Sequence, residues 1–208
     1  SINSTEFNLQ QDAYENAFRD ADIINKVMNN GIYNSIAATF VYWSSASQQQ
    51  QAVGWTLIND ATTSNGFADA IAAAGRPYAS TTGVGEAITF STGLFSGNGY
   101  EGSRNVIDVS GDGTDNSGST SAAAGRDYAL ANGVTTINGL VVGGGSSLLN
   151  WYTGNVIGGT NNFAILAPTF ADFETALKEK LAKEIVGTPE PGTLLMLGFS
   201  LLGIAGIT

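Results

Sequence analysis

One run of eight residues constrains the fold more than any other: Val106-Ile107-Asp108-Val109-Ser110-Gly111-Asp112-Gly113. Its β-branched apolar residues predict a strand. The strand stops abruptly in Gly-Asp-Gly, so one carboxylate stands at its carboxyl end between small neighbours that let a ligand come close. In open α/β sheets, ligands bind at that edge. What the chain can do there depends on the partners Asp112 finds.

Helix and strand signals alternate around this run. Residues 5–29 read as a helix, with Phe7, Tyr14, Phe18, Ile24 and Met28 on one face, Thr5 as cap and Asn30-Gly31 as stop. Residues 35–43 are β-branched and aromatic and predict a strand. A polar turn at 48–51 leads to a second strand at 52–58. Helices are predicted over 64–74 and 83–95, the central strand over 104–110, and an Ala-rich helix over 119–131, stopped by Asn132-Gly133. A strand at 134–142 runs into a Gly143-Gly144-Gly145 loop, and a short strand at 163–166 precedes a helix at 169–186. That helix carries Phe170, Phe173, Leu177, Leu181 and Ile185 on one face, with Lys178, Lys180 and Lys183 toward its carboxyl end, where they suit the helix dipole. Alternation of this kind predicts an α/β fold with a doubly wound, mostly parallel sheet and helices on both faces, spanning residues 1–187.

Composition narrows the chemistry. The 208 residues hold no Cys and no His, which excludes thiolate and imidazole zinc sites and every nucleophile paired with histidine. A metal here must be held by oxygen, which points to Mg²⁺ first, with Ca²⁺ and Mn²⁺ as alternatives. A formal charge of −10 with only 8 Lys and Arg disfavours nucleic acid, because phosphate binding needs clustered bases. Low charge and abundant Gly, Ser, Thr and Asn suit an exported protein.

After Gly187 the character changes. Thr188-Pro189-Glu190-Pro191-Gly192 cannot continue a helix. Residues 193–208 are uncharged and mostly apolar. As a helix, the roughly 17 residues from Gly192 would reach roughly 26 Å, just short of a hydrocarbon core of about 30 Å. Residues 188–208 are therefore read as a separate tail with an apolar transmembrane helix.

The loop Ser80-Thr81-Thr82-Gly83-Val84-Gly85 supplies hydroxyls ahead of a helix, and Ser1 and Ser4 lie just before the first one. Together with Ser110-Gly111-Asp112-Gly113, these residues resemble the von Willebrand factor type A (VWA) family, whose adhesion site takes a metal ion from three loops. Asp112 matches the Asp after the fourth strand of that family, Thr82 matches its loop Thr, and Ser1 matches the last Ser of its Asp-x-Ser-x-Ser motif. On this match the motif's Asp and first Ser, with the first central strand, fall before residue 1. The likeness is closer to a bacterial VWA-related family of unknown function. Its marks are Tyr42-Trp43, Trp55-Thr56-Leu57-Ile58, Tyr100-Glu101-Gly102, the central strand, Asn116-Ser117-Gly118, Ile137-Asn138-Gly139-Leu140 and Asn155-Val156-Ile157-Gly158-Gly159. The tail Pro189-Glu190-Pro191-Gly192-Thr193-Leu194-Leu195 is similar to the PEP-CTERM sorting signal.

These resemblances imply an exported protein that binds, through a divalent cation at Ser1, Thr82 and Asp112, a protein or matrix ligand presenting an acidic group. They imply adhesion and no enzyme activity. The tail implies an exosortase-type processing enzyme as a partner, with Pro189, Glu190 and Pro191 as its motif. It also implies a membrane tether before processing and release to the surface or matrix of a Gram-negative bacterium. Two alternatives stand beside this reading. One is a structural matrix or envelope protein with a vestigial site. The other is an oxygen-ligand metal hydrolase, which needs a general base near the metal and has only Asp108 or Glu86 to offer. Asp108, inside the strand, reads as a buried, hydrogen-bonded carboxylate near Arg104. Asp115 and Asn116 read as a solvated loop.

Overall fold

A computed structural model describes residues 2–29, 34–102, 104–186 and 195–202. The chain opens with helices α1 (Ser4–Arg19) and α2 (Ala21–Met28), then strands β1 (Ile36–Trp43) and β2 (Gln49–Ile58). Helices α3 (Ala61–Ala73) and α4 (Val84–Gly93) lead to β3 (Arg104–Gly111), α5 (Ala122–Ala131), β4 (Thr136–Val142) and α6 (Gly145–Asn155). The short strands β5 (Gly158–Gly159) and β6 (Ala164–Ala167), a 3-10 turn (Phe170–Asp172), helix α7 (Phe173–Val186) and strand β7 (Leu195–Leu202) complete the described elements.

The sheet runs β2-β1-β7-β3-β4-β5, with β6 also pairing to β4. Strands β1, β7, β3, β4 and β6 run parallel to one another, while β2 pairs antiparallel with β1 and β5 antiparallel with β4. Helix α1 packs on α3 and α7; helix α5 packs on α4 and α6. The fold is thus doubly wound α/β, as the alternation predicts. Strands β1 and β4 are buried along their whole length, as strands covered on both faces must be.

Three local differences have clear causes. The helix predicted over 5–29 breaks at Asp20, whose backbone is extended (φ −70°, ψ 125°). Its carboxylate accepts the amides of Asp22 (2.9 Å) and Ile23 (3.3 Å), so it caps a new helix in mid-pattern. At the start of α1 the cap is Asn3, not Thr5: Asn3 Oδ1 accepts the Glu6 amide at 3.0 Å and Glu6 Oε2 accepts the Asn3 amide at 2.7 Å. Helix α6 is hidden in the sequence by its polar surface, because only Leu148 and Tyr152, one turn apart, are buried. It starts directly from Gly143-Gly144-Gly145, all three at positive φ (62°, 63° and 59°), a path that β-carbons would strain.

The larger correction concerns the tail. Residues 195–202 do not form the expected apolar helix; they form β7, in the middle of the sheet. Ile36 to Trp43 of β1 pair with Leu195 to Leu202 on one side, and Arg104 to Ser110 of β3 pair with Leu195 to Leu201 on the other. An apolar, uncharged segment suits a central parallel strand as well as it suits a membrane span, since both need side chains without charge in every direction. Pairing on two edges satisfies the backbone groups that a helix would have satisfied internally. Among the described residues, no helix is long and apolar enough to cross a membrane. Pro189, Glu190 and Pro191 lie outside the described residues.

Helices α4 and α5 meet through glycines. A β-carbon on Gly85 would overlap the Thr120 carbonyl oxygen, and one on Gly125 would overlap the Gly85 carbonyl. Gly66, exposed on α3, has open space around it. Gly85→Ala is therefore expected to destabilise the protein by about 1–3 kcal/mol through overpacking. Gly66→Ala is expected to stabilise it by roughly 0.5–1 kcal/mol through helix propensity. Denaturant unfolding of the two variants checks both signs.

Candidate functional site

The carboxyl ends of β1 and β3 carry three loops that are tied to one another. Immediately after β1, the Ser44 carbonyl accepts the Gly83 amide at 2.8 Å, and Ser44 Oγ donates to the Thr81 carbonyl at 3.0 Å. This holds the Thr82 loop against the end of β1. Immediately after β3, the loop from Asp112 onward holds the same Thr82 loop from the other side. The Asn116 amide donates to the Thr82 carbonyl (2.9 Å), and Asn116 Oδ1 accepts the Thr82 amide (2.8 Å). Asp115 Oδ1 accepts the Val84 amide at 3.0 Å. Ser117 Oγ accepts the Ala46 amide at 3.2 Å, and Glu86 Oε1 accepts the amides of Ser119 and Thr120, each at 2.9 Å.

This network uses backbone groups and amide side chains, and it leaves particular oxygens over. Thr82 is 1% exposed, yet its hydroxyl has no hydrogen-bond partner among the described residues. The same holds for Asp112 Oδ1, Asp115 Oδ2, Glu86 Oε2 and the Tyr152 hydroxyl. Buried polar atoms are almost always paired, with protein groups or with ordered water, so these are the oxygens that the loop network itself leaves over. Burial raises the Asp112 carboxyl to about 6, with the charge of Glu6 adding to the effect. Burial also raises Asp115, reinforced by Glu86. The Tyr152 phenol is pushed up by burial and then by the negative charges of Asp112 and Asp115. In all three the burial of the group is the largest cause, and neighbouring negative charge acts in the same direction.

The structure therefore brings Thr82 and Asp112 onto two loops locked together by Asn116 and Asp115. Ser1 lies outside the described residues. Asn116 is exposed and Asp115 half-buried, as a solvated loop would be, but both also clamp the neighbouring loop through bonds to Thr82 and Val84. Glu86 is engaged at the start of the segment leading into α5. No three His, Cys, Asp or Glu side chains converge into a metal-holding group among the described residues. A cation at this edge would rest on one carboxylate plus hydroxyl oxygens.

Asp108 sits deeper, fully buried in the middle of β3. Its partner is not Arg104, whose guanidinium donates to the Glu184 carbonyl at 3.2 Å. Lys180 Nζ lies 2.5 Å from Asp108 Oδ1 and also bonds the Glu184 carboxylate. Lys180 and Glu184 are 0% and 1% exposed, so Lys180 does not serve the helix end as its position in the sequence implies. A signal for both existed. Phe173, Leu177, Lys180, Leu181 and Glu184 share one helical stripe, and two charges on an apolar stripe are either mutually paired or misassigned. Asn138 Nδ2 donates to Glu184 Oε1 at 2.7 Å, and Asn138 Oδ1 accepts the Phe163 amide at 3.0 Å.

Fold and edge together define a doubly wound α/β protein whose carboxyl-edge loops hold buried, unsatisfied oxygens. The chain belongs to a family of proteins of unknown function, DUF1194, whose model matches residues 1–189. The solved structure of an aerotolerance-related membrane protein from Bacteroides fragilis NCTC 9343, with multiple mutations to serines, is similar to it. The two share 14% identity over 84% of this chain and 88% of that one, with a TM-score of 0.44. No curated protein matches the chain.

The raised Asp112 carboxyl gives a signed expectation. A carboxyl whose folded-state value lies above its unfolded value contributes stability below the ordinary carboxylate range and loses it as pH rises through about 6. In EDTA, Asp112→Asn is therefore expected to unfold at a higher temperature than wild type at pH 7. The gap should close by about pH 4, the unperturbed carboxylate range. Thermal unfolding across that range reads both ends.

Proposed function

We propose that this protein binds a divalent cation at the carboxyl edge of its sheet and, through that ion, an acidic group on a partner. The observation that carries the reading is the pair of buried, unpartnered oxygens, Thr82 Oγ1 and Asp112 Oδ1, on two clamped loops among the described residues. Hydroxyl and carboxylate oxygens are the ligands that Mg²⁺, Ca²⁺ and Mn²⁺ prefer. These residues fit such an ion, and Ser1 would join them by its resemblance to the VWA motif. One carboxylate with hydroxyls leaves a divalent ion under-neutralised, so it retains attraction for an outside carboxylate. That is the chemistry of VWA-type adhesion. On this reading the chain's own residues hold the ion and shape the edge, and Glu86 is held through one carboxylate oxygen by two amides.

The same reading takes the protein to the cell envelope. Support is the low-charge composition and the Pro189-Glu190-Pro191 segment with its apolar continuation, similar to a tail that an exosortase-type enzyme removes after membrane tethering. Residues 195–202 cannot be β7 and a membrane span at once, so a tethered form would lack the central strand seen here.

Titration with Mg²⁺, Ca²⁺ and Mn²⁺, followed by thermal unfolding, tests the cation site. At a hundredfold excess over Kd, binding to the folded state contributes about 2.7 kcal/mol, which in a chain of this size is roughly 5–10 °C. The shift is expected in wild type, and is expected to vanish in Asp112→Ala and shrink in Thr82→Ala. A wild type that shows no shift with any of the three ions overturns the reading in favour of a structural matrix or envelope protein with a vestigial site.

A further inference from the structure

The densest unassigned chemistry lies away from the edge, between β3 and α7. Asp108 comes from the strand; Lys180 and Glu184 come from the helix, one turn apart, and all three are fully buried. The ammonium touches both carboxylates. Asn138 of β4 adds one neutral donor to Glu184, and the Phe163 ring stands 5.8 Å from Lys180 Nζ. Asp108 Oδ2 and Glu184 Oε2 have no hydrogen-bond partner among the described residues.

The charges facing this cluster can be followed element by element. From α1 comes Tyr14, buried, with its hydroxyl 2.8 Å from Ser110 Oγ; it brings no positive charge. From β3 comes Arg104, half-buried at the rim, bonded to the Glu184 carbonyl and not to its carboxylate. Burial desolvates that guanidinium and the Glu184 charge acts on it, so it attracts the Glu184 carboxylate from the side without hydrogen-bonding it. From α7 itself, Lys183 is exposed and paired with Glu179. Fully ionised, the cluster would hold two negative charges against one positive charge in a dry interior, which desolvation strongly disfavours. Two carboxylates competing for one compensating charge cannot both ionise as freely as in water.

We propose that Asp108, Lys180 and Glu184 form a proton-holding latch, in which the two carboxylates share one proton and thereby fasten helix α7 to strand β3. The proton occupies the orphaned carboxylate side and makes the cluster neutral. Unfolding exposes both carboxyls, which then release it, so the folded state binds more protons than the unfolded one between the ordinary carboxylate range and neutrality. The direction agrees with Asp108, which burial raises against the opposing pull of Lys180. Folding linked to proton uptake becomes less favourable as pH rises, by up to tenfold in the folding constant per pH unit for one proton. Mild acid tightens the latch, and alkali loosens α7.

The test is denaturant unfolding of the whole chain in EDTA from pH 4 to pH 8, with wild type, Asp108→Asn and Glu184→Gln. Wild type is expected to lose stability as pH rises through this window. Either amide variant, neutral without a proton, is expected to flatten the profile by close to one proton, whereas the contribution of Asp112 is common to all three chains and cancels in the comparison. Equal slopes in wild type and both variants overturn the latch. Where a variant fails to fold, infrared spectroscopy of wild type at neutral pH decides. A buried protonated carboxyl stretch that shifts in D₂O supports the latch, and the absence of any such band overturns it. The outcome is independent of the cation site, which is read by metal titration instead.

Discussion

Everything in this fold is hung on strand β3, and what decides its surroundings is the cost of burying its polar residues. Val106, Asp108 and Ser110 alternate with Ile107, Val109 and Gly111, so the two sets face opposite sides of the sheet. One side is apolar apart from its glycine. The other carries a carboxylate and a hydroxyl that cannot be left bare. Lys180 reaches Asp108 from α7, and Tyr14 meets Ser110 from α1. Those two contacts fix the register of both helices on one face more narrowly than apolar packing would, because hydrophobic contact is non-directional and hydrogen-bonded contact is not.

That same constraint shapes the site at the strand's end. Asp112 follows Gly111 directly, so its position is inherited from β3, not chosen by a flexible loop. The Thr82 loop cannot drift away from it, because Asn116 binds Thr82 through both its backbone amide and its side chain. Sites on rigid elements hold geometry better than sites on free loops. Here two loops gain rigidity by bonding to each other, and the unpaired oxygens are what that bonding leaves over. A group of acceptors kept unsatisfied costs stability, and such a cost is most readily explained where a ligand repays it.

Much of this was legible. The strand-helix alternation gives the doubly wound class, and Asp112 and Thr82 stand where their loops imply. What the pattern could not show has physical reasons. Asp20 ends a helix inside an unbroken apolar stripe because an Asx cap competes locally with helix continuation. The sequence sets Arg104, four residues away on the same strand, near Asp108, whereas its partner is Lys180, because a strand face says nothing about which helix residue lies over it. Lys180 and Glu184 are legible only as charges on an apolar stripe, which periodicity alone reads as noise. Helix α6 buries too few side chains to leave a stripe at all.

The apolar tail shows where sequence reading meets a true degeneracy. Leu195-Met196-Leu197-Gly198-Phe199 satisfies a membrane helix and a central parallel strand equally, since each requires only that no direction be charged. Nothing in the residues breaks the tie; the surroundings do. Strands β1 and β3 do not pair with one another, and each would expose a full edge without a strand between them. Gly198 sits in that slot with the Phe95 ring against it: a β-carbon there would lie 3.1 Å from Phe95 Cζ. A helix in water offers no comparable partner for these residues, and a membrane does. Filling that slot pairs the site-bearing strand β3 along both edges.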